Sequence, residues 1–212
     1  RGDGMNKFIY RSSLWLGCLF LSLNSYAERN LEKLIDNHQG QFEDIALKIW
    51  EYAEVGYQEY KSSDLLKKKL SEEGFAIKSN IANIPTAFVA EYGEGLPVIA
   101  ILGEFDALPG VAQSSSPFRE SYKDNIAGHA CGHHLFGAGS AWASVVIKEW
   151  LIANNQKGTI RFYGTPAEEG GSGKVYMARE GIFNDVDVML HWHPGSASHA
   201  SPRTSNSNKS AK

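Results

Sequence analysis

An α/β fold, a largely parallel sheet flanked by helices, is the class this sequence predicts, and three observations predict it. Residues 98–102, 159–164 and 186–190 are short, mainly apolar runs, the mark of strands covered on both faces. Segments with apolar residues at three- and four-residue steps lie before and between them, the spacing of helices with a buried side. A polar cluster follows each of the three runs, where open α/β sheets bind their ligands.

The elements follow in order. Residues 30–53 read as a helix, because Phe42, Ile45, Ala46, Ile49, Trp50 and Ala53 recur on one face. A second helix is expected from an N-cap at Ser62 through Leu65, Leu66 and Leu70 to a stop at Gly74, with Lys67 to Lys69 on a solvated face. Residues 75–79 and 87–92 read as strands about a turn at Pro85. After the strand at 98–102 comes a Ser-rich loop over 110–128. A long buried helix is expected from Leu135 to Ala153, with Ala138, Ala141, Trp142, Val145, Val146 and Trp150 inside. The strand at 159–164, a short helix over 172–180 closed by Gly181, and the strand at 186–190 complete the pattern.

Residues 5–27 have the three parts of a secretory signal peptide. Lys7 and Arg11 precede an apolar run from Leu14 to Leu23, and Ser25-Tyr26-Ala27 offers small residues for cleavage after Ala27. The run is too short for a bilayer span, which needs about 20 residues. The expected location is therefore periplasmic or secreted. Residues 1–4 stand ahead of Met5 as a non-native leader, 28–195 form the catalytic-type domain, and 196–212 read as a polar tail. The net charge of -3 supplies no electrostatic case for nucleic acid, and no basic run favours a membrane surface. Of the 2 cysteines, Cys18 would leave with the signal. Cys131 would remain alone, without an internal disulfide partner.

Five of the 7 histidines fall in two short stretches, Gly128-His129-Ala130-Cys131-Gly132-His133-His134 and His191-Trp192-His193-Pro194. Imidazole and thiolate are zinc ligands. In extended backbone Cys131 and His133 would project to one side, with Gly132 permitting a tight path between them. Asp106 follows the first buried run, and Glu168 with Glu169 the second. Adjacent carboxylates in extended backbone face apart, so one of the pair can bind metal while the other serves as general base. Asp106 suits bridging two ions or orienting a histidine ligand. Two other readings compete. Gly170-Gly171-Ser172-Gly173-Lys174 lacks the first glycine and the final Ser or Thr of a phosphate loop, where Glu168 and Val175 stand. Cys131 as a thiol nucleophile would leave the remaining His and Glu clusters unused.

These stretches, with Gly103 to Gly110 and Phe162 to Lys174, resemble the M20 metallopeptidase family in its amidohydrolase branch, from about residue 31 onward. The resemblance implies an aminopeptidase-like α/β catalytic domain with two divalent metal ions, zinc or manganese first, nickel or cobalt also used. It implies Cys131, His133, Glu169 and His193 as ligands, Glu168 as general acid/base, and Asp106 beside the site orienting a ligand. The implied reaction is hydrolysis of an amide bond in an N-acyl or aminobenzoyl amino acid, such as aminobenzoyl-glutamate, or in a dipeptide. The implied assembly is a homodimer or a complex of homologous subunits. Two positions depart from the wider branch. Leu102 to Asp106 replaces an Arg-x-Asp-x-Asp pattern, and His134 replaces an Asp, either as a neutral polar substitute or as an extra ligand. His129 is expected to shape the loop. The family's lid domain and last ligand would lie beyond residue 212, so the chain is expected to be an N-terminal portion. A non-catalytic metal-binding fragment is the alternative.

Overall fold

The computed structural model describes residues 31–120 and 126–198. The leader, the signal peptide and the tail from residue 199 on lie outside the described residues. Helix α1 is continuous over 31–52 and buries Phe42, Ile45, Ala46 and Ile49, the one-sided spacing the sequence shows. Helix α2 spans Tyr60–Glu72. It starts two residues before Ser62, which is a buried interior residue whose hydroxyl donates to Glu54 at 2.8 Å. A serine can serve a neighbouring carboxylate as readily as a helix end, so residue type alone misplaced the cap. Strand β1 is Ala76–Ser79, β2 is Phe88–Glu94 and β3 is Val98–Gly103. Helix α3 is His133–Ala153, followed by β4 (Gly158–Gly164), α4 (Gly173–Arg179) and β5 (Val188–Leu190).

The strands form one sheet in the order β1-β2-β4-β3-β5. It is mixed, where the sequence suggested a largely parallel one. β1 runs antiparallel to β2, and β2 antiparallel to β4, while β4–β3 and β3–β5 are parallel. The cause is connection length. Only residues 95–97 join β2 to β3, and a parallel return needs a crossover of a dozen residues or more. The long segment carrying α3 between β3 and β4 is such a crossover.

Side chains alternate across the sheet as period two demands. Phe88, Ala90, Ile101, Ile160 and Phe162 face α1, α2 and α3, whereas Val89, Ala100, Leu102 and Tyr163 face Met177 of α4 and the partly buried Ile182 and Phe183. Each such fully buried large apolar side chain stabilises the fold by about 1.5–3 kcal/mol relative to exposure. β5 departs from the doubly covered strand expected at 186–190. It pairs only with β3, and Val188, Met189 and Leu190 are 46%, 42% and 47% exposed. Among the described residues α3 alone is long and apolar enough to cross a membrane. It buries Phe136, Ala138, Ala141 and Val145 and packs on β3 and β4 as a core helix.

Candidate metal centre

The parallel strands β3, β4 and β5 end on the same side of the sheet, and each releases a polar segment there. Thr165 clamps two of these ends together: its backbone N–H and its hydroxyl both donate to the Gly103 carbonyl, at 2.9 and 3.1 Å. The fourth contribution comes from the start of α3. Gly132 has φ +82, a left-handed value that glycine adopts without strain, and His133 is the first helical residue. Cys131 and His133 thus come from a turn and a helix start, rather than from alternate positions of an extended stretch. Gly137 lets α3 approach β3 closely, since a Cβ there would lie 2.6 Å from the Glu104 carbonyl oxygen.

Cys131, His133 and His193 each offer a donor atom within 4.8 Å of the others, with Cys131 Sγ 3.3 Å from His193 Nε2. Bonds of about 2.0–2.3 Å to one cation hold its donors roughly 3–3.6 Å apart, so this spacing suits a shared ion. His133 is fully buried. Its Nδ1 lies 2.8 Å from Asp106 Oδ1, and the other Asp106 oxygen accepts the Glu169 backbone N–H at 2.8 Å. A carboxylate at Nδ1 keeps the proton there, so that Nε2 offers its lone pair once a cation displaces the proton on that side, the tautomer that metal-binding histidines need. That Nε2 is buried with no hydrogen-bond partner, as is Glu169 Oε1, and the two lie 4.0 Å apart. Buried polar atoms without partners are rare and call for a ligand. Glu168 Oε2 is also 4.0 Å from His133 Nε2, but its side chain is 45% exposed against 17% for Glu169. The two carboxylates thus differ in exposure, and the sequence expectation is that one binds metal while the other stands off it as general base. The structure thus brings Asp106, Cys131, His133, Glu168, Glu169 and His193 together.

The electrostatics follow from crowding negative groups in a half-closed site. Burial pushes the Cys131 thiol up to about 11, helped by Glu169, Glu168 and Glu104. An uncomplexed Cys131 is therefore held in the less nucleophilic thiol form near neutrality, which weighs against a thiol hydrolase. Burial opposes charge on His133, but Asp106 and Glu104 outweigh it and raise the imidazole to about 10. The cluster attracts positive charge, and the mixed thiol, imidazole and carboxylate set fits a transition metal such as zinc.

Several participants were missed in the sequence. Glu104 is 2% exposed, with Oε2 2.9 Å from His133 Nε2 and Oε1 paired with Lys174 and 3.6 Å from His191. Although its burial favours the neutral acid, His133, His191 and Lys174 hold it well below the usual carboxylate range. Glu59 is fully buried and accepts the Ala167 N–H at 2.8 Å and the Thr86 hydroxyl at 3.0 Å. It fixes Ala167, whose φ is +56, immediately before Glu168. Burial raises Glu59 to about 7. No local pattern announces Glu59, which precedes an ordinary helix. His129 Nε2 meets the Ile49 carbonyl at 3.0 Å, tying the loop to α1 as expected. The His134 ring lies 5.1 Å from the His129 ring, and burial lowers both imidazoles to about 4, leaving them neutral. A third His/Glu group, His38, Glu73 and Glu149, lies elsewhere, but Lys69 and Lys148 already pair with Glu73 at 2.6 and 3.1 Å.

An α/β sheet whose carboxyl ends gather thiol, imidazole and carboxylate donors defines a domain with a candidate metal site where such sheets bind their ligands. Residues 100–204 match the model of peptidase family M20/M25/M40. With the relatives that follow, this shows that the chain belongs to the M20 family. It is 44% identical over 169 residues to one subunit of the p-aminobenzoyl-glutamate hydrolase of Escherichia coli, across 78% of this chain and 35% of that protein. It is 32% identical to hippurate hydrolase of Campylobacter jejuni, across 77% of this chain and 42% of that protein. Among solved structures, a dinuclear metal-binding M20 peptidase of Bacillus subtilis matches with a TM-score of 0.59 and 29% identity, over 74% of this chain and 43% of its own. The chain thus spans well under half the length of these relatives.

Proposed function

We propose that this chain carries the metal-binding part of an amidohydrolase that cleaves an N-acyl or aminobenzoyl amino acid, or a dipeptide. The observation that carries the reading is the buried, unpartnered His133 Nε2 facing Cys131, His193 and the Glu168–Glu169 pair. Cys131, His133, Glu169 and His193 would hold two divalent ions, zinc or manganese first. When bound, such ions polarise a carbonyl and lower the pKa of water. Asp106 holds the His133 tautomer and the Glu169 backbone at once. Glu168, the solvent-facing carboxylate, takes the proton of the attacking water and returns it to the leaving amine. Glu59 fixes the turn from which Glu168 projects.

The substrate class rests on the names of the relatives: one hydrolyses p-aminobenzoyl-glutamate, one hippurate, and a third is an N-acetyl-L-cysteine deacetylase. The first of these is named as a subunit, which supports a multi-subunit assembly; the homodimer or complex of homologous subunits rests on the family resemblance. Export to the periplasm or medium is supported by the basic, apolar and small-residue segments of residues 5–27, and N-terminal sequencing of the mature protein tests it. The central experiment assays p-aminobenzoyl-glutamate and hippurate hydrolysis with and without chelator, and with Glu168→Gln and Cys131→Ser. Chelator-sensitive hydrolysis lost in Glu168→Gln is expected, by about 10²–10⁴-fold. Metal binding without hydrolysis of any acyl amino acid would mark a binding module instead. Hydrolysis that resists chelators but dies in Cys131→Ser would mark a thiol enzyme.

A further inference from the structure

Cys131, His133, Glu169 and His193 are the donors this chain brings to the proposed centre. His133 lies at its heart, fully buried. Its Nε2 carries one lone pair, yet it belongs to two donor groups: Cys131, His133 and His193 form one, and Glu104, His133 and Glu168 form the other. Within the second group Glu104 Oε2 lies 2.9 Å from Nε2, a separation that suits an ion pair in the metal-free chain and equally two donors on one octahedral ion. We propose that Glu104 is itself a metal ligand, contributing to the second cation site from the end of β3, with Lys174 as its charge-balancing partner.

Three features of the residue favour this. It is 2% exposed, and a carboxylate is withdrawn from water to that degree only where cations or donors surround it. Its two oxygens divide: Oε1 takes Lys174 and lies 3.6 Å from His191, leaving Oε2 to face the ligand atom of His133. Its backbone is fixed between the end of β3 and the close approach of Gly137, so the carboxylate is held in place without metal. Lys174 competes with a cation for Glu104. Its removal therefore strengthens metal binding at the site if Glu104 is a ligand.

The inference rests on the proposed metal centre, and the test separates their failures. The 212-residue chain is stripped with chelator and titrated with Co²⁺, followed by calorimetry and by the visible spectrum of the ion, with Zn²⁺ competition as a second measure. Three variants accompany it: Glu104→Gln, Lys174→Met, and the charge-neutral double variant, which avoids an unpaired, half-buried lysine. Glu104→Gln is expected to weaken one site by tenfold or more, on the order of the loss seen even for outer-sphere partners, and to alter the spectrum. The double variant is expected to stay weak, and Lys174→Met to bind at least as tightly as the unmodified chain. Unchanged affinity and spectrum in Glu104→Gln, or full recovery in the double variant, would overturn the assignment while leaving the metal centre intact. No Co²⁺ or Zn²⁺ bound by the unmodified chain would overturn both.

Discussion

Replacing Asp106 by Asn probes the centre most sharply, because the two residues share shape and differ only in what they accept. The Asp106 side chain is fully buried and accepts twice, from His133 Nδ1 and from the Glu169 N–H, both at 2.8 Å. An Asn side chain has one oxygen and one NH2 group. If its oxygen faces His133, the NH2 confronts the Glu169 N–H, donor against donor, and a buried unsatisfied group costs about 1–3 kcal/mol. If the NH2 faces His133 instead, the ring must carry its proton on Nε2, which removes the lone pair offered to metal. Either way zinc affinity should fall about 10–100-fold, roughly 1.4–2.7 kcal/mol. The assay is zinc calorimetry paired with urea unfolding of the chelator-treated chain. An Asp106→Asn variant that bound zinc as tightly as the unmodified chain and unfolded at the same urea concentration would refute the tautomer argument.

Two further outcomes follow from the same geometry. Between an ordinary value of 4.5 and its raised value of about 7, Glu59 holds a proton in the folded chain that the unfolded chain has released, so this residue's contribution to stability falls as pH rises through that window. Glu59→Gln should flatten that slope, seen by comparing urea midpoints of the two proteins at about pH 5 and about pH 8, and equal slopes would show that Glu59 does not titrate there. Gly137→Ala places a Cβ 2.6 Å from the Glu104 carbonyl oxygen, so α3 must shift away from β3 at a cost of about 1–3 kcal/mol, measured as a lower urea midpoint together with weaker zinc binding.

The sequence by itself determined a great deal about this protein. Apolar spacing located α1, α3 and the strands to within a few residues, because burial on a helix face or a sheet face imposes a period that the chain must carry. The donor residue types pointed to one shared cation site, since thiol, imidazole and paired carboxylates have few common uses apart from a cation, and the family resemblance singled out Asp106, Cys131, His133, Glu168, Glu169 and His193. Sheet order and strand direction were legible only in part: the direct 95–97 link forbids a parallel β2–β3 return, but nothing local tells that β4 inserts between them. What the tertiary structure alone decided were the relations between distant residues. Glu104 looked like one more polar residue after a strand until its fold neighbours Lys174, His191 and His133 appeared around it. Glu59 carries no signal in the sequence, and only the fold brings Ala167 and Thr86 to its carboxylate. The physical reason is the same in both cases. A side chain's type states what it can bond, but burial and the partner across the sheet decide which bond it makes, and those are set by chain segments as many as 108 residues away.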